Sequence, residues 1–163
     1  MNIRKIYEYA LQQEHEGKHF FEENAGRMQA AAAVDAFRKL AAEEQKHIEF
    51  VQRQIDLLDQ GQVTQILPDP GQAETGFFSG RAESEAIQQT VSEAMVADLP
   101  VLRMAYLIER DFAEFYESAA GKAEGEAKKV LETLAYWERR HEALFKEMHD
   151  KAFEAYSEMP WGG

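Results

Sequence analysis

The chain contains no cysteine. That removes disulfides, thiolate zinc sites and iron–sulfur clusters, and with them any built-in thiolate-held electron carrier. Proline is scarce, four in 163 residues, and Ala, Glu, Gln, Leu and Lys fill long stretches, which points to an all-α chain. No apolar run approaches the roughly 20 residues of a membrane span. Met1-Asn2-Ile3-Arg4-Lys5 leads into an amphipathic stretch and not into a signal peptide, so the cytoplasm is the expected compartment. Basic residues are the minority: 18 Lys and Arg against 30 Asp and Glu leave a net charge of −12. Neither nucleic acid nor an anionic membrane surface is expected as a partner. With 45% hydrophobic and 29% charged residues, a single globular domain over 1–163 is expected.

Four periodic stretches are present. The first helix is expected from about 2 to 26, with Asn2 as N-cap and Gly26 as stop. Its stripe of Ile3, Tyr7, Ala10, Glu14, Phe21 and Ala25 keeps within roughly 40° of one direction. A second helix over about 31–60 carries Phe37, Leu40, Glu44, His47, Val51 and Ile55 inward. Residues 61–80 hold Pro68, Pro70 and several glycines and break the pattern, so 61–97 reads as a crossover with a short helix at about 82–96. The third helix is expected to start near Asp98-Leu99-Pro100 and to end at Gly121, with Leu102, Ala105, Glu109, Phe112, Tyr116 and Ala120 inward. The fourth, over about 124–157, carries Leu131, Leu134, Glu138, His141, Phe145 and Met148. Hairpin one is thus 2–60 and hairpin two 98–157, followed by Pro160 and terminal glycines.

The halves read as a diverged repeat. Glu14, Phe21, Ala25 and Gly26 match Glu109, Tyr116, Ala120 and Gly121 at an offset of 95, whereas Leu40, Ala41, Glu44 and His47 match Leu134, Ala135, Glu138 and His141 at 94. One residue is lost in the turn. Within each half a lone Glu precedes a Glu-x-x-His by about thirty residues. Climbing roughly 13 residues at about 1.5 Å each and returning the same distance brings the two Glu residues of a hairpin level. A Glu and a His three apart share a helix face, so both can reach one ion.

Four ionised carboxylates on apolar stripes cost several kcal/mol each unless paired or metal-bound, and no Lys or Arg on the stripes can neutralise them. Two divalent cations would balance Glu14, Glu44, Glu109 and Glu138, with His47 and His141 completing an N/O donor set that suits iron, manganese or zinc. Glu16-x-x-His19 has the same spacing but points away from Glu14 and reads as surface. His15 and His149 likewise read as solvent-facing, and Phe20, Phe21, Phe112, Phe115 and Phe145 as packing residues.

These motifs resemble the rubrerythrin branch of the ferritin-like superfamily over nearly the whole chain except 61 to about 95. The resemblance implies a ferritin-like four-helix bundle with a long crossover between helices 2 and 3. It further implies a non-haem di-iron centre in which Glu14 and Glu109 are the single carboxylates and Glu44 and Glu138 the bridges. Rubrerythrins carry a second carboxylate one turn after the third-helix ligand, where this chain has Phe112. They have tyrosines at both positions seven after the lone Glu, where this chain has Phe21 and Tyr116. Tyr116 is expected to hydrogen-bond a ligand carboxylate from the facing helix.

The leading functional expectation is a di-iron oxidoreductase, peroxidase-like or ferroxidase-like, acting on hydrogen peroxide or dioxygen. An external electron-donor protein is needed because no cysteine relay is present. A first alternative treats Fe(II) as substrate in an iron-handling protein. A second is a non-catalytic helical interaction protein held together by its metals, and a manganese catalase-like site shares the same donors. A homodimer is expected from the resemblance and from Phe77, Phe78 and Trp161, which need burial.

Overall fold

The structure is a computed structural model that describes residues 1–66 and 93–159. Pro68, Pro70, Phe77, Phe78, Pro160, Trp161 and most of the short helix expected at 82–96 lie outside the described residues. Four long helices carry the architecture: α1 (Ile3–Ala25), α2 (Ala31–Asp59), α3 (Leu99–Ala120) and α4 (Gly125–Glu158), with a 3₁₀ segment (Glu93–Asp98) leading into α3. Among the described residues there is no strand. The expected helix bounds hold to within a residue or so.

Local chemistry explains the ends. The Asn2 side chain accepts from the Lys5 N–H at 3.3 Å and opens α1. Pro100 sits in the first turn of α3, where its missing N–H costs nothing. Helix α2 closes through Gly61, whose φ of +69° is a left-handed conformation that only glycine adopts without strain. The Gln62 N–H then reaches back to the Leu57 carbonyl at 2.9 Å.

The turns of the two hairpins, 26–30 and 121–124, differ by the one residue that separates the repeat offsets. The hairpins lie head to tail, as their two apolar layers reveal. One layer joins the turn end of hairpin one (Phe21, Phe37, Leu40) to the open end of hairpin two (Leu102, Phe145, Met148). There Phe21 stacks on Phe145 at 5.3 Å and Phe37 packs edge-on to both. The other layer joins the open end of hairpin one (Tyr7, Val51, Ile55) to the turn end of hairpin two (Tyr116, Val130, Leu131, Leu134). The C-terminus of α2 and the N-terminus of α3 therefore lie at opposite ends of the bundle. All 24 stripe positions except the half-buried Ile3 are buried.

The described ends of the crossover are tied down by polar contacts. The Thr64 hydroxyl donates to Gln54 Oε1 at 2.6 Å and meets the Tyr7 hydroxyl at 2.9 Å, and Gln54 also holds the Gln65 backbone. At the other end, Asp98 does not cap its own helix. Its carboxylate accepts from the Gln29 and Ala30 N–H groups at 2.9–3.1 Å, so it caps α2, whose own N-cap, Ala30, has no side-chain acceptor. One correction concerns His149, which is not solvent-facing. Its side chain is only 18% exposed, packed at 5.3 Å against Tyr106 and alongside Phe153. The imidazole buries its apolar body on the flank of the hairpin, as amphipathic side chains do.

Replacing Asp98 by Ala strands two backbone donors at the start of α2 and should lower stability by about 1–3 kcal/mol. Asp98→Asn keeps one acceptor and should lose less. Urea unfolding followed by circular dichroism checks both.

Candidate metal centre

Between the two apolar layers lies one polar layer. Glu14, Glu44, Glu109 and Glu138 are fully buried and His47 and His141 nearly so. All six side chains that the sequence nominated meet there. One donor atom from each of Glu44, His47, Glu138 and His141 lies within 4.8 Å of the other three, and Glu14 and Glu109 flank this group on either side.

The distances sort the carboxylates into two kinds. Around His47 Nδ1 stand Glu138 Oε1 at 2.9 Å, Glu14 Oε2 at 3.2 Å and Glu44 Oε2 at 3.5 Å. Around His141 Nδ1 stand Glu44 Oε1 at 3.2 Å, Glu138 Oε2 at 3.4 Å and Glu109 Oε2 at 3.5 Å. Glu44 and Glu138 each give one oxygen to each imidazole; Glu14 serves only His47 and Glu109 only His141. Donors that share a cation at roughly 2.0–2.2 Å stand about 3.0–3.5 Å from their neighbours. Each imidazole nitrogen with its three oxygens has that spacing.

The electrostatics ask for cations. Among the described residues, both oxygens of Glu44, Glu109 and Glu138 and Nδ1 of His141 are buried, with one another as near neighbours and no well-directed hydrogen bond. Burial, then the charge of Glu138, pushes the Glu14 carboxyl well above the usual range. Burial and then Glu44 do the same to Glu109. Burial alone would lower both histidines, but Glu138 and Glu44 outweigh it at His47, and Glu109, Glu138 and Glu44 outweigh it at His141, so both rise well above normal. Burial also opposes ionisation of Glu44 and Glu138, yet the facing imidazoles prevail and hold both below the usual range. Buried carboxyls are thus held from ionising at Glu14 and Glu109 while the imidazoles are drawn towards their charged form. Two divalent cations would balance four carboxylates, and the residues fit such a pair in donor type, spacing and charge.

Two departures from symmetry mark the centre. The Tyr116 hydroxyl, itself buried, donates to Glu14 Oε1 in a short hydrogen bond, as expected. The matching residue, Phe21, belongs to the aromatic layer, so Glu109 has no such partner. Three residues after each lone Glu stand Gly17 and Phe112, and these two meet. A Cβ on Gly17 would lie 3.1 Å from the Phe112 ring and 3.6 Å from Glu44 Oε2. The ring of α3 fills the space that a side chain of α1 would need. An isolated glycine on an apolar helix face was the available signal for this packing.

A further neighbour was missed altogether. The half-buried Trp137 lies at 4.8 Å from the His47 ring and within 13° of parallel, and His47 in turn stacks on His141 at 5.2 Å and 10°. Trp137 precedes Glu138 in sequence, but adjacency in a helix turns side chains about 100° apart. Nothing in the spacing told of this stack. Outside the centre, His15, Glu16 and His19 are exposed, as expected for surface residues.

Residues 100–160 match the family model described as Rubrerythrin. The match covers nearly all of α3 and all of α4, with Glu109, Tyr116, Glu138 and His141. No curated protein and no solved structure matches the chain. The first hairpin, outside the match, repeats the lone Glu and the Glu-x-x-His with one more residue in its turn and with Phe21 in place of Tyr116, and presents them to the same layer. The bundle is ferritin-like, and its buried Glu/His cluster can hold a metal ion.

Two measurements check the centre. The raised groups hold their protons to higher pH than ordinary carboxyls and imidazoles and must lose them to coordinate, so metal uptake should release protons and weaken as pH falls. Titration calorimetry in buffers of differing ionisation enthalpy gives the proton count. Tyr116→Phe leaves Glu14 Oε1 without its donor and should weaken metal binding roughly 10–100-fold.

Proposed function

We propose that this rubrerythrin-like chain is a non-haem di-iron oxidoreductase that reduces hydrogen peroxide or dioxygen with electrons from an external donor. The observation that carries the reading is the sharing of Glu44 and Glu138 between the two imidazoles, a disposition that serves two ions and not one. Glu14, Glu44, His47 and Glu138 would hold the first ion, and Glu44, Glu109, Glu138 and His141 the second. When bound, two ferrous ions supply two electrons and Lewis acidity, the stoichiometry that peroxide reduction requires. Manganese and zinc suit the same donors, and only a redox metal serves this reaction.

The chain's own residues set the conditions. The two apolar layers above and below the centre exclude water, which strengthens every electrostatic contact between them. Glu14 is fixed by Tyr116 and cannot swing without giving up that bond. Glu109 has no such tether among the described residues, so of the two lone carboxylates it would be the freer to move. The Tyr116 O–H is the nearest protein proton on the Glu14 side. The absence of cysteine leaves the chain with no thiolate carrier, so an external donor protein is part of the proposal. A cytoplasmic location is part of the same reading, and so is a homodimer, which rests on the resemblance and on Phe77, Phe78 and Trp161; among the described residues no helix is long and apolar enough to cross a membrane.

Stopped-flow mixing of the di-ferrous protein with peroxide tests the reaction. Oxidation should outpace that of free Fe(II), stop after one turnover without a donor, and resume when one is added. Oxidation no faster than free Fe(II) would leave the metals a structural role, and Fe(III) accumulating beyond two per chain would make iron the substrate. Glu109→Ala should lower metal content below two per chain while leaving the bundle helical.

A further inference from the structure

The three-ring stack of Trp137, His47 and His141 has no place in the scheme so far. It is one-sided. The residue matching Trp137 in the first hairpin, at the offset of 94, is Glu43, a half-buried acid paired with Lys46 at 2.7 Å. The fold thus does not require an aromatic at this point, and hairpin one builds the same layer without it. Trp137 is also held in place: Phe50, buried beneath it, packs edge-on at 5.1 Å. Its indole is only half-buried, so one face meets an imidazole of the centre while the residue as a whole still reaches the surface.

We propose that Trp137 is the one-electron relay of the centre, passing electrons inward across its stack on His47. The proposal rests on the redox reading above. Near-parallel rings in contact give an unbroken π path from the surface to both imidazoles, and the indole is, with tyrosine, among the side chains most readily oxidised. The other aromatic route inward runs from the half-exposed Tyr9 to Phe115 at 4.9 Å and on to Tyr116 at 5.2 Å. That route is interrupted by a phenyl ring, which has no N–H or O–H proton to release on oxidation. The relay step balances when only one ferrous ion is present beside the stack. Peroxide takes two electrons and two protons and becomes two waters. One electron comes from the ferrous ion, which becomes ferric, and one from the indole. The indole gives up its N–H proton with that electron and is left as a neutral radical, and the second proton comes from solvent.

The test uses the full chain loaded with about one Fe(II) and mixed with hydrogen peroxide, with no donor present. Freeze-quench electron paramagnetic resonance and peptide mass spectrometry are the readouts. A tryptophan radical should form, and oxygen adducts should map to the peptide of Trp137 and not to that of Trp161; neither should appear without iron. Trp137→Phe keeps a ring against His47 and should retain iron content while losing the radical. Tyr116→Phe, under the same loading, should keep it. Adducts spread equally over Trp161 and the methionines, or a radical that persists in Trp137→Phe and vanishes in Tyr116→Phe, would overturn the relay and leave the redox reading intact. Iron that oxidises no faster than free Fe(II), with no protein radical, would remove both together.

Discussion

Four carboxylates buried at one height in an apolar bundle are the constraint on which the remainder of this structure depends. Each would cost several kcal/mol as an isolated charge, and among the described residues no Lys or Arg is buried in their layer. The bundle meets that cost with two imidazoles and, in the reading proposed here, two cations. Everything that positions the six side chains follows from the requirement. Two layers of aromatic and aliphatic side chains close the polar layer above and below, and helix pairs with short turns bring a Glu and a Glu-x-x-His to the same level. The Asp98 cap and the Thr64–Gln54–Tyr7 contacts then hold the crossover ends against the hairpins.

Duplication of the hairpin supplies the symmetry, and three substitutions break it. Tyr116 tethers Glu14 whereas Phe21 leaves Glu109 untethered. Gly17 gives way to the ring of Phe112 beside Glu44. Trp137 stacks on His47, whereas the matching position in the first hairpin is the acid Glu43, paired with Lys46. All three act next to the ligand layer and none alters the helices. They distinguish one half of the centre from the other: a fixed carboxylate and a covered imidazole on the side of Glu14 and His47, a free carboxylate on the side of Glu109. On the proposed di-iron reading, a symmetric scaffold with an asymmetric lining would let two chemically alike ions take different parts in one reaction.

Much of this was legible in the residues. The helix bounds, the inward stripes, the hairpin pairing and the six-residue constellation all came from periodicity and spacing, because a helix fixes the face and height of each side chain from its number alone. The one-residue difference between repeat offsets even located the shorter turn. What spacing could not give is which side chains touch across the bundle. That Asp98 caps α2 and not its own helix, that His149 lies against Tyr106 and that Trp137 stacks on His47 depend on how neighbouring helices are rotated against one another.

Glu44 and Glu138 show the division most sharply. The sequence by itself determined that four glutamates and two histidines share a level, since rise per residue is a local property of the backbone. It determined the demand for positive charge, since counting acids and bases on the stripes is enough. Only the tertiary structure decided that Glu44 and Glu138 split their oxygens between the imidazoles while Glu14 and Glu109 do not. The helices α2 and α4 set their Glu-x-x-His pairs facing each other across the bundle, and α1 and α3 approach from the flanks. That arrangement is a matter of crossing geometry and side-chain rotamers, which no one-dimensional spacing encodes.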